Sequence, residues 1–264
     1  MGKVFAVVVT IIALASAAVF ALRIWWLPPD ISAHGARIDR QLMETMVVCG
    51  ILFVLAQLAL AAFVWTGGAA RGIKTFPGGA TPMVVLAVVL VGAEILVLTF
   101  VGAKVWASIY QTAPDPHSLQ IEVQAEQFAF YFRYAGADGK FGAMHPELMN
   151  DANENFFGLD LANDTTARDD IVVGTLTIPV DRPILLELHA KDVNHSFYVP
   201  ELRIQQDFVP GMVIPLHFTA TKTGKYELVC TQLCGLGHYN MRAYVEVMPQ
   251  AQFDQWLKDK AAQQ

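Results

Sequence analysis

The chain has 264 residues, 54% of them hydrophobic and 16% charged, with a formal net charge of −6 at neutral pH. From residue 105 onward it carries 11 Lys or Arg against 20 Asp or Glu. So acidic a water-facing part repels polyanions, which excludes nucleic acid as a partner and favours a basic protein whose approach it would accelerate.

The apolar residues gather in three stretches, residues 4–22, about 46–65 and about 83–106. Each approaches the ~20 residues that cross a ~30 Å hydrocarbon layer. The first contains no charge, and the third has only Glu94 in its interior and Lys104 at its end. Trp25, Trp26, Trp65 and Trp106 stand at the ends, where interfacial anchors belong. Glu94 falls near mid-membrane, ~18 Å from each helix end at 1.5 Å per residue. An ionisable side chain is costly there, which makes Glu94 a candidate for a proton pathway, with packing against a partner helix as the other reading.

The first stretch has a second reading as well. Lys3, an apolar run and the alanine-rich residues 15–21 also describe a secretory signal cleaved near Ala21. The run is longer than the usual ~7–15-residue core of a signal, so a retained helix is expected. Basic residues do not orient the spans: Arg23, Arg37 and Arg40 follow the first, Arg71 and Lys74 follow the second, and Lys3 precedes both. Cys49, inside the second stretch, behaves as a small apolar residue. The chain carries no C-x-x-C-H haem-attachment motif, so a covalently fused cytochrome c is not expected.

From about Leu119 the periodicity becomes that of strands, at residues 119–123, 127–134, 171–178, 184–189, 216–219, 226–230 and 243–248. Pro179, Pro183, Pro210, Gly211 and Gly224 punctuate them, as in an antiparallel β-sandwich. Residues 252–262 read as a short amphipathic helix with Phe253, Trp256 and Leu257 on one side. Residues 135–170 form a long polar stretch without a period, expected to pack on another subunit or to shape a donor site, and His145 within it reads as a surface histidine. The organisation expected is a membrane region over residues 1–106 and a soluble domain over 107–264 with an insertion at about 135–170.

Within the domain, Cys230, Cys234, His238 and Met241 fall in a C-x3-C-x3-H-x2-M spacing. Thiolate and thioether are soft ligands and imidazole is borderline, a set that suits copper rather than magnesium or calcium. A mononuclear electron-transfer copper needs one cysteine; two allow both sulfurs to bridge a pair of ions. A second histidine is then required, and His195 lies 35 residues before Cys230. The competing reading is a C-x3-C disulfide beside an unrelated histidine and a core methionine. Gly235 and Gly237 let the loop bend tightly.

Residues 192–200, 206–212 and the cysteine loop together resemble subunit II of the haem–copper cytochrome c oxidases, a likeness that covers roughly residues 80–250. The form most resembled is the three-helix bacterial one associated with alternative complex III, which also carries segments like Gln127–Phe130 and 138–142. The resemblance implies N-terminal helices followed by a cupredoxin-like Greek-key sandwich and a dinuclear CuA centre. In it Cys230 and Cys234 bridge the coppers, His195 and His238 each bind one, and Met241 and the Gln232 carbonyl are weak ligands. It also implies a bacterial cytoplasmic-membrane protein whose C-terminal domain faces the periplasm. Such a chain takes electrons from cytochrome c or a similar donor, or from alternative complex III, and relays them to haem in the catalytic subunit I for reduction of dioxygen to water.

This chain departs from the family pattern in two places. Gln127, Phe128, Ala129 and Phe130 stand where much of the family has Gln-Trp-x-Trp, so electron entry falls to Phe128 and Phe130 without an indole N–H. Gln232 replaces a glutamate that in many relatives also binds magnesium, so a magnesium site loses an anionic ligand. The copper subunit of a nitric oxide reductase and a membrane-tethered copper carrier remain the alternatives.

Overall fold

The computed structural model describes residues 1–24, 26–67 and 81–263, excepting the side chain of Met83. Trp25, Arg71 and Lys74, singled out above, lie outside the described residues. Helices α1 (Gly2–Ala21), α2 (Gly35–Trp65) and α3 (Thr81–Tyr110) are long and apolar enough to cross a membrane. Helix α2 starts about three turns before the apolar stretch that announces it, because Arg37, Asp39, Arg40 and Glu44 occupy its first turns. Hydropathy marks contact with lipid, whereas helical hydrogen bonding continues past it into water.

The chain divides into two compact units, one made of Met1–Leu27 and Arg37–Trp106, the other of Pro28–Ala36 and Ala107–Gln264. The second is a sandwich of two five-stranded sheets. One contains β1 (Leu119–Glu126), β2 (Ala129–Tyr134), β3 (Ile171–Val173), β5 (Pro183–Ala190) and β8 (Ile214–Thr219), in the order β3-β2-β1-β5-β8. The other contains β4 (Thr175–Pro179), β6 (His195–Val199), β7 (Ile204–Phe208), β9 (Gly224–Val229) and β10 (Arg242–Met248), in the order β4-β10-β9-β6-β7.

Strand β10 shows why the layers form. Ala243, Val245 and Val247 are buried while Arg242, Tyr244 and Glu246 face water, the period of two that puts one face in a core. Those apolar residues meet Ile121, Val123, Phe197, Val199 and Leu228 in one cluster. Helix α4 (Gln250–Ala261) adds Phe253, and Trp256 meets Tyr134 edge-on at 5.2 Å between centroids. The run 171–178, read above as one strand, is two: β3 joins the first sheet through β2, and β4 joins the second through β10. Strands β6 and β7 have no counterpart among the strands expected from periodicity.

The short segment Pro28–Ala36 belongs to the sandwich and straps it. The Ile31 N–H donates to the Glu201 carbonyl (3.0 Å), Thr221 N–H to Ile31 O (2.7 Å) and Ala33 N–H to Thr219 O (3.1 Å). Ser32 forms an antiparallel bridge with Ala220, and Lys222 Nζ donates to Asp30 O at 2.6 Å. Ile31 is 1% exposed and is part of the main core.

Residues 135–170 are packed, with three short 3-10 turns at Pro146–Leu148, Asp151–Asn153 and Ala167–Asp169. Phe157, Leu159 and Ala167 form a second small core, and Phe156 stacks on Tyr131 of β2 at 3.5 Å. Arg133, fully buried, donates to Glu122, Asp170 and the Gly142 carbonyl, with the rings of Phe141 and Phe157 each 5.1 Å away. A buried guanidinium demands such partners, since an unpaired one is very costly. The polar insertion therefore closes over the outer face of the first sheet.

Candidate metal centre

The loop of residues 230–241 joins β9 to β10, which pair antiparallel and clamp its two ends. Its neck is closed by Cys230 N–H donating to Met241 O at 3.1 Å. A tight turn follows, with His238 N–H on Gly235 O (3.2 Å) and Met241 N–H on His238 O (3.2 Å). Gly235 has φ +136°, a conformation that side chains rarely adopt. His195 is the first residue of β6, whose Tyr198 pairs with Val229 of β9, and this pairing carries the histidine to the loop.

The six residues named above as ligands converge there. Cys230 Sγ and Cys234 Sγ are 3.8 Å apart, well beyond the ~2.05 Å of a disulfide, so both are thiols. Cys234 Sγ lies 3.5 Å from His238 Nδ1 and 3.7 Å from Met241 Sδ, and Cys230 Sγ lies 3.1 Å from the Gln232 carbonyl. His195 and both cysteines each offer a ligand atom within 4.8 Å of the others, all buried.

Burial raises the Cys230 thiol, but the neighbouring His195 imidazole and the Ser196 and Gln232 backbones outweigh it and bring the group down to about 6. Burial and the neighbouring Cys230 charge push Cys234 up to about 12. Two thiolates this close repel unless a cation lies between them. His195 completes the test of fit. It is 0% exposed, its Nε2 is held by Asp192 Oδ1 at 2.8 Å, and its buried Nδ1 has no hydrogen-bond partner among the described residues. That is how a metal-binding imidazole is prepared, one nitrogen fixed by a carboxylate and the other left for the ion. The donor set and this orphaned nitrogen fit copper.

Asp192 was given no role above, yet it organises the site. Besides His195 it accepts the N–H of Gln127 at 2.8 Å and of Val193 at 2.7 Å. Gln127 Nε2 in turn donates to the Cys234 carbonyl at 2.5 Å. The sequence signal for Asp192 is its position three residues before the histidine. Phe128 is 40% exposed and lies against Gly235 and Gly237, whereas Phe130 is 2% exposed and faces Phe208 in the core at 5.9 Å. Leu233, Leu236 and Tyr239 are strongly exposed on the same loop. Glu94 is not part of this site; it lines a cavity of about 50 Å³ within the helical unit, together with Gln41, Glu44 and Thr45.

Three helices apolar enough to cross a membrane, ahead of a β-sandwich whose thiol-rich loop could hold a metal, define a domain of cupredoxin-like fold with the make-up of a membrane-anchored subunit. The family model "Cytochrome C oxidase subunit II, periplasmic domain" matches residues 153–248. The alternative cytochrome c oxidase subunit 2 of Bradyrhizobium diazoefficiens is 30% identical over 259 residues, 97% of this chain and 91% of that one. The cytochrome c oxidase subunit 2 of Thermostichus vulcanus is 46% identical over 92 residues, 35% of this chain and 28% of its own. The periplasmic domain of subunit II of cytochrome oxidase (CoxB) of Bradyrhizobium japonicum superposes with a TM-score of 0.42 at 22% identity, over 57% of this chain and 99% of that one. The chain belongs to the cytochrome c oxidase subunit II family.

Proposed function

We propose that this chain is the electron-entry subunit of a terminal oxidase and carries a dinuclear copper centre on Cys230, Cys234, His195, His238, Met241 and the Gln232 carbonyl. The observation that carries the reading is the buried His195, fixed by Asp192 through one nitrogen with the other facing the paired thiols. A copper pair held there supplies reversible one-electron chemistry. The chain's own part is to keep the ligands still: clamped strands on both sides of the loop limit the rearrangement that each change of charge would otherwise drive.

Electron entry falls to Phe128, whose exposed ring lies on the glycines of the copper loop, and not to the enclosed Phe130. The exposed Leu233, Leu236 and Tyr239 give a partner an apolar surface beside it, within an acidic domain that steers a basic donor such as a cytochrome c or a component of alternative complex III. Dioxygen reduction belongs to a haem-bearing partner subunit in the bacterial cytoplasmic membrane. Pro28–Ala36 lies in the same unit as the sandwich, so the connection between α1 and α2 shares its side of the membrane. With three spans, the N-terminus and the sandwich then lie on opposite sides, and a periplasmic sandwich, as the family's name has it, leaves the N-terminus in the cytoplasm. Gln232 supplies no anionic side chain, which speaks against a magnesium site of the glutamate type.

The complex purified from native membrane should contain two coppers per copy of this chain, one unpaired electron shared over both in the mixed-valence form, and a haem-bearing membrane protein. One copper with a localised signal refutes the dinuclear centre, and purification of the chain without a haem protein refutes the oxidase role.

A further inference from the structure

We propose that the chain binds a second metal, a divalent transition ion of the zinc class, between β1 and β5 through Glu122, Glu187 and His189, with the Gln124 amide oxygen as a fourth donor. The parallel register sets Glu122 beside Glu187 and Gln124 beside His189. Residues two apart on a strand share a face, so all four side chains rise from the outer face of the first sheet. The two carboxylates and the imidazole each offer a ligand atom within 4.8 Å of the others. Two carboxylate oxygens and an imidazole nitrogen are a donor set that zinc accepts.

Gln124 points independently to a ligand. It is 1% exposed, and neither its Oε1 nor its Nε2 has a hydrogen-bond partner among the described residues. Leaving both atoms of a buried amide unsatisfied is costly, so something polar belongs beside it. His189 Nε2 is likewise buried without a hydrogen-bond partner among the described residues. Arg133 meets Glu122 only through Oε2, and among the described residues no Lys or Arg pairs with Glu187. One strand position further on, Glu126 faces the same way and is matched within the chain by Lys191, which also binds Asp151. The pocket at Glu122 and Glu187 has no such second cation of its own.

Charge and protonation agree with this geometry. Glu122 and Asp170 share the single guanidinium of Arg133 and Glu187 adds a third carboxylate beside Glu122, leaving two negative charges for a divalent ion when all are ionised. Burial raises the Glu122 carboxyl, Arg133 offsets this, and the nearby Glu187 charge raises it again. Burial and Arg133 bring His189 down to about 4, so at neutral pH its imidazole is in the uncharged form that ligates. Glu187 and His189 are half-buried, which leaves the ion a way in. The site also has a mechanical consequence. Beyond its end β1 continues into Gln127 and Phe128, and β5 into Asp192 and His195, so an ion pinning the two strands steadies both arms of the copper centre.

The test uses the full-length chain in detergent, loaded with copper so that the thiol site is filled, and titrated with zinc sulfate. One zinc per chain is expected after desalting, with oxygen and nitrogen but no sulfur neighbours in its X-ray absorption spectrum. Glu187→Gln and His189→Gln should each weaken zinc at least 10-fold while leaving the copper absorption unchanged, which shows that the variants fold. Failure to bind zinc, sulfur in the zinc shell, or wild-type affinity in either variant overturns the proposal. None of these outcomes bears on the copper assignment, which is read from the copper spectrum of the same samples.

Discussion

Asp192 Oδ1 lies 2.8 Å from His195 Nε2, and this single contact decides which nitrogen of the imidazole is left for the metal. The same carboxylate gathers the N–H groups of Gln127 and Val193, so it ties the end of the first sheet to the start of β6. Its acidity follows: although burial raises it, the hydrogen bonds from His195, Gln127 and Val193 hold the group below the usual carboxylate range.

Asp192→Asn should therefore weaken copper ~10–100-fold, the usual cost of losing a partner behind a ligand, without the complete loss expected of His195→Ala. Competition with a copper chelator measures both. Equal retention of copper in Asp192→Asn and the wild type would mean that the contact orients nothing.

Among the sulfur ligands, Cys230→Ser and Cys234→Ser should abolish the delocalised signal, because a hydroxyl is harder and far less acidic than a thiol. Met241 is 2% exposed, so Met241→Leu keeps the packing and removes only a weak donor. It should keep two coppers and shift the reduction potential. A Met241→Leu protein as depleted of copper as Cys234→Ser would reverse this ranking.

The aromatic ring beside the loop offers a test by rescue. A Cβ at Gly237 would come within 2.5 Å of Phe128 Cδ2, so Gly237→Ala must push the ring aside. Electron entry from the donor should slow in Gly237→Ala and in Phe128→Ala, with copper retained in both. The double variant should be no slower than Phe128→Ala alone, since the clash is gone. Additive slowing in stopped-flow oxidation of the donor would show that the two residues act separately.

Ile31 lets the strap be weighed. Its removal from the main core by Ile31→Ala should cost about 2–5 kcal/mol, read from urea unfolding of the full chain. A fragment beginning at Ala107 lacks the strap altogether and should be less stable still. Unfolding of Ile31→Ala at the wild-type urea concentration would make the strap a passive connection.

His189 gives the pH dependence. Its folded value is about 4 against an ordinary 6.5, so between these limits the unfolded chain binds a proton that the folded chain does not. Its contribution is complete above pH 6.5 and falls as the pH drops towards 4. Asp170, raised to about 6 by burial, works in the opposite sense and is strongest at low pH. Comparing the wild type with His189→Gln in zinc-free buffer isolates the histidine: the variant should lose less stability between pH 6.5 and 4. Identical slopes would remove His189 from the account.

The membrane helices and the loop of thiols were legible because each rests on a local signal, either a run of apolar residues or a spacing of rare side chains. Strands β6 and β7 were not. His195 and Ser196 are polar yet fully buried, so His195–Val199 breaks the alternation by which strands are read. The charged start of α2 was hidden for the reverse reason, since nothing apolar marks a helix that has left the lipid. Arg133, Glu122 and Asp170 carry no local signal of pairing, since Asp170 lies 37 residues beyond Arg133; only the folded insertion turns them into a buried network. Glu94 was visible as a lone carboxylate in α3, but its neighbour Glu44 belongs to another helix.

The strap makes the order of synthesis matter. Residues of Pro28–Ala36 leave the ribosome long before Glu201, Thr219 and Thr221, whose backbones pair with them. The connection between the first two helices must therefore wait, unpaired, until most of the chain has been made. Were only one of α2 and α3 to cross a bilayer, those residues would be held on the far side from their site. The sandwich would then lack Ile31, so the docked strap requires the two helices to cross together or not at all.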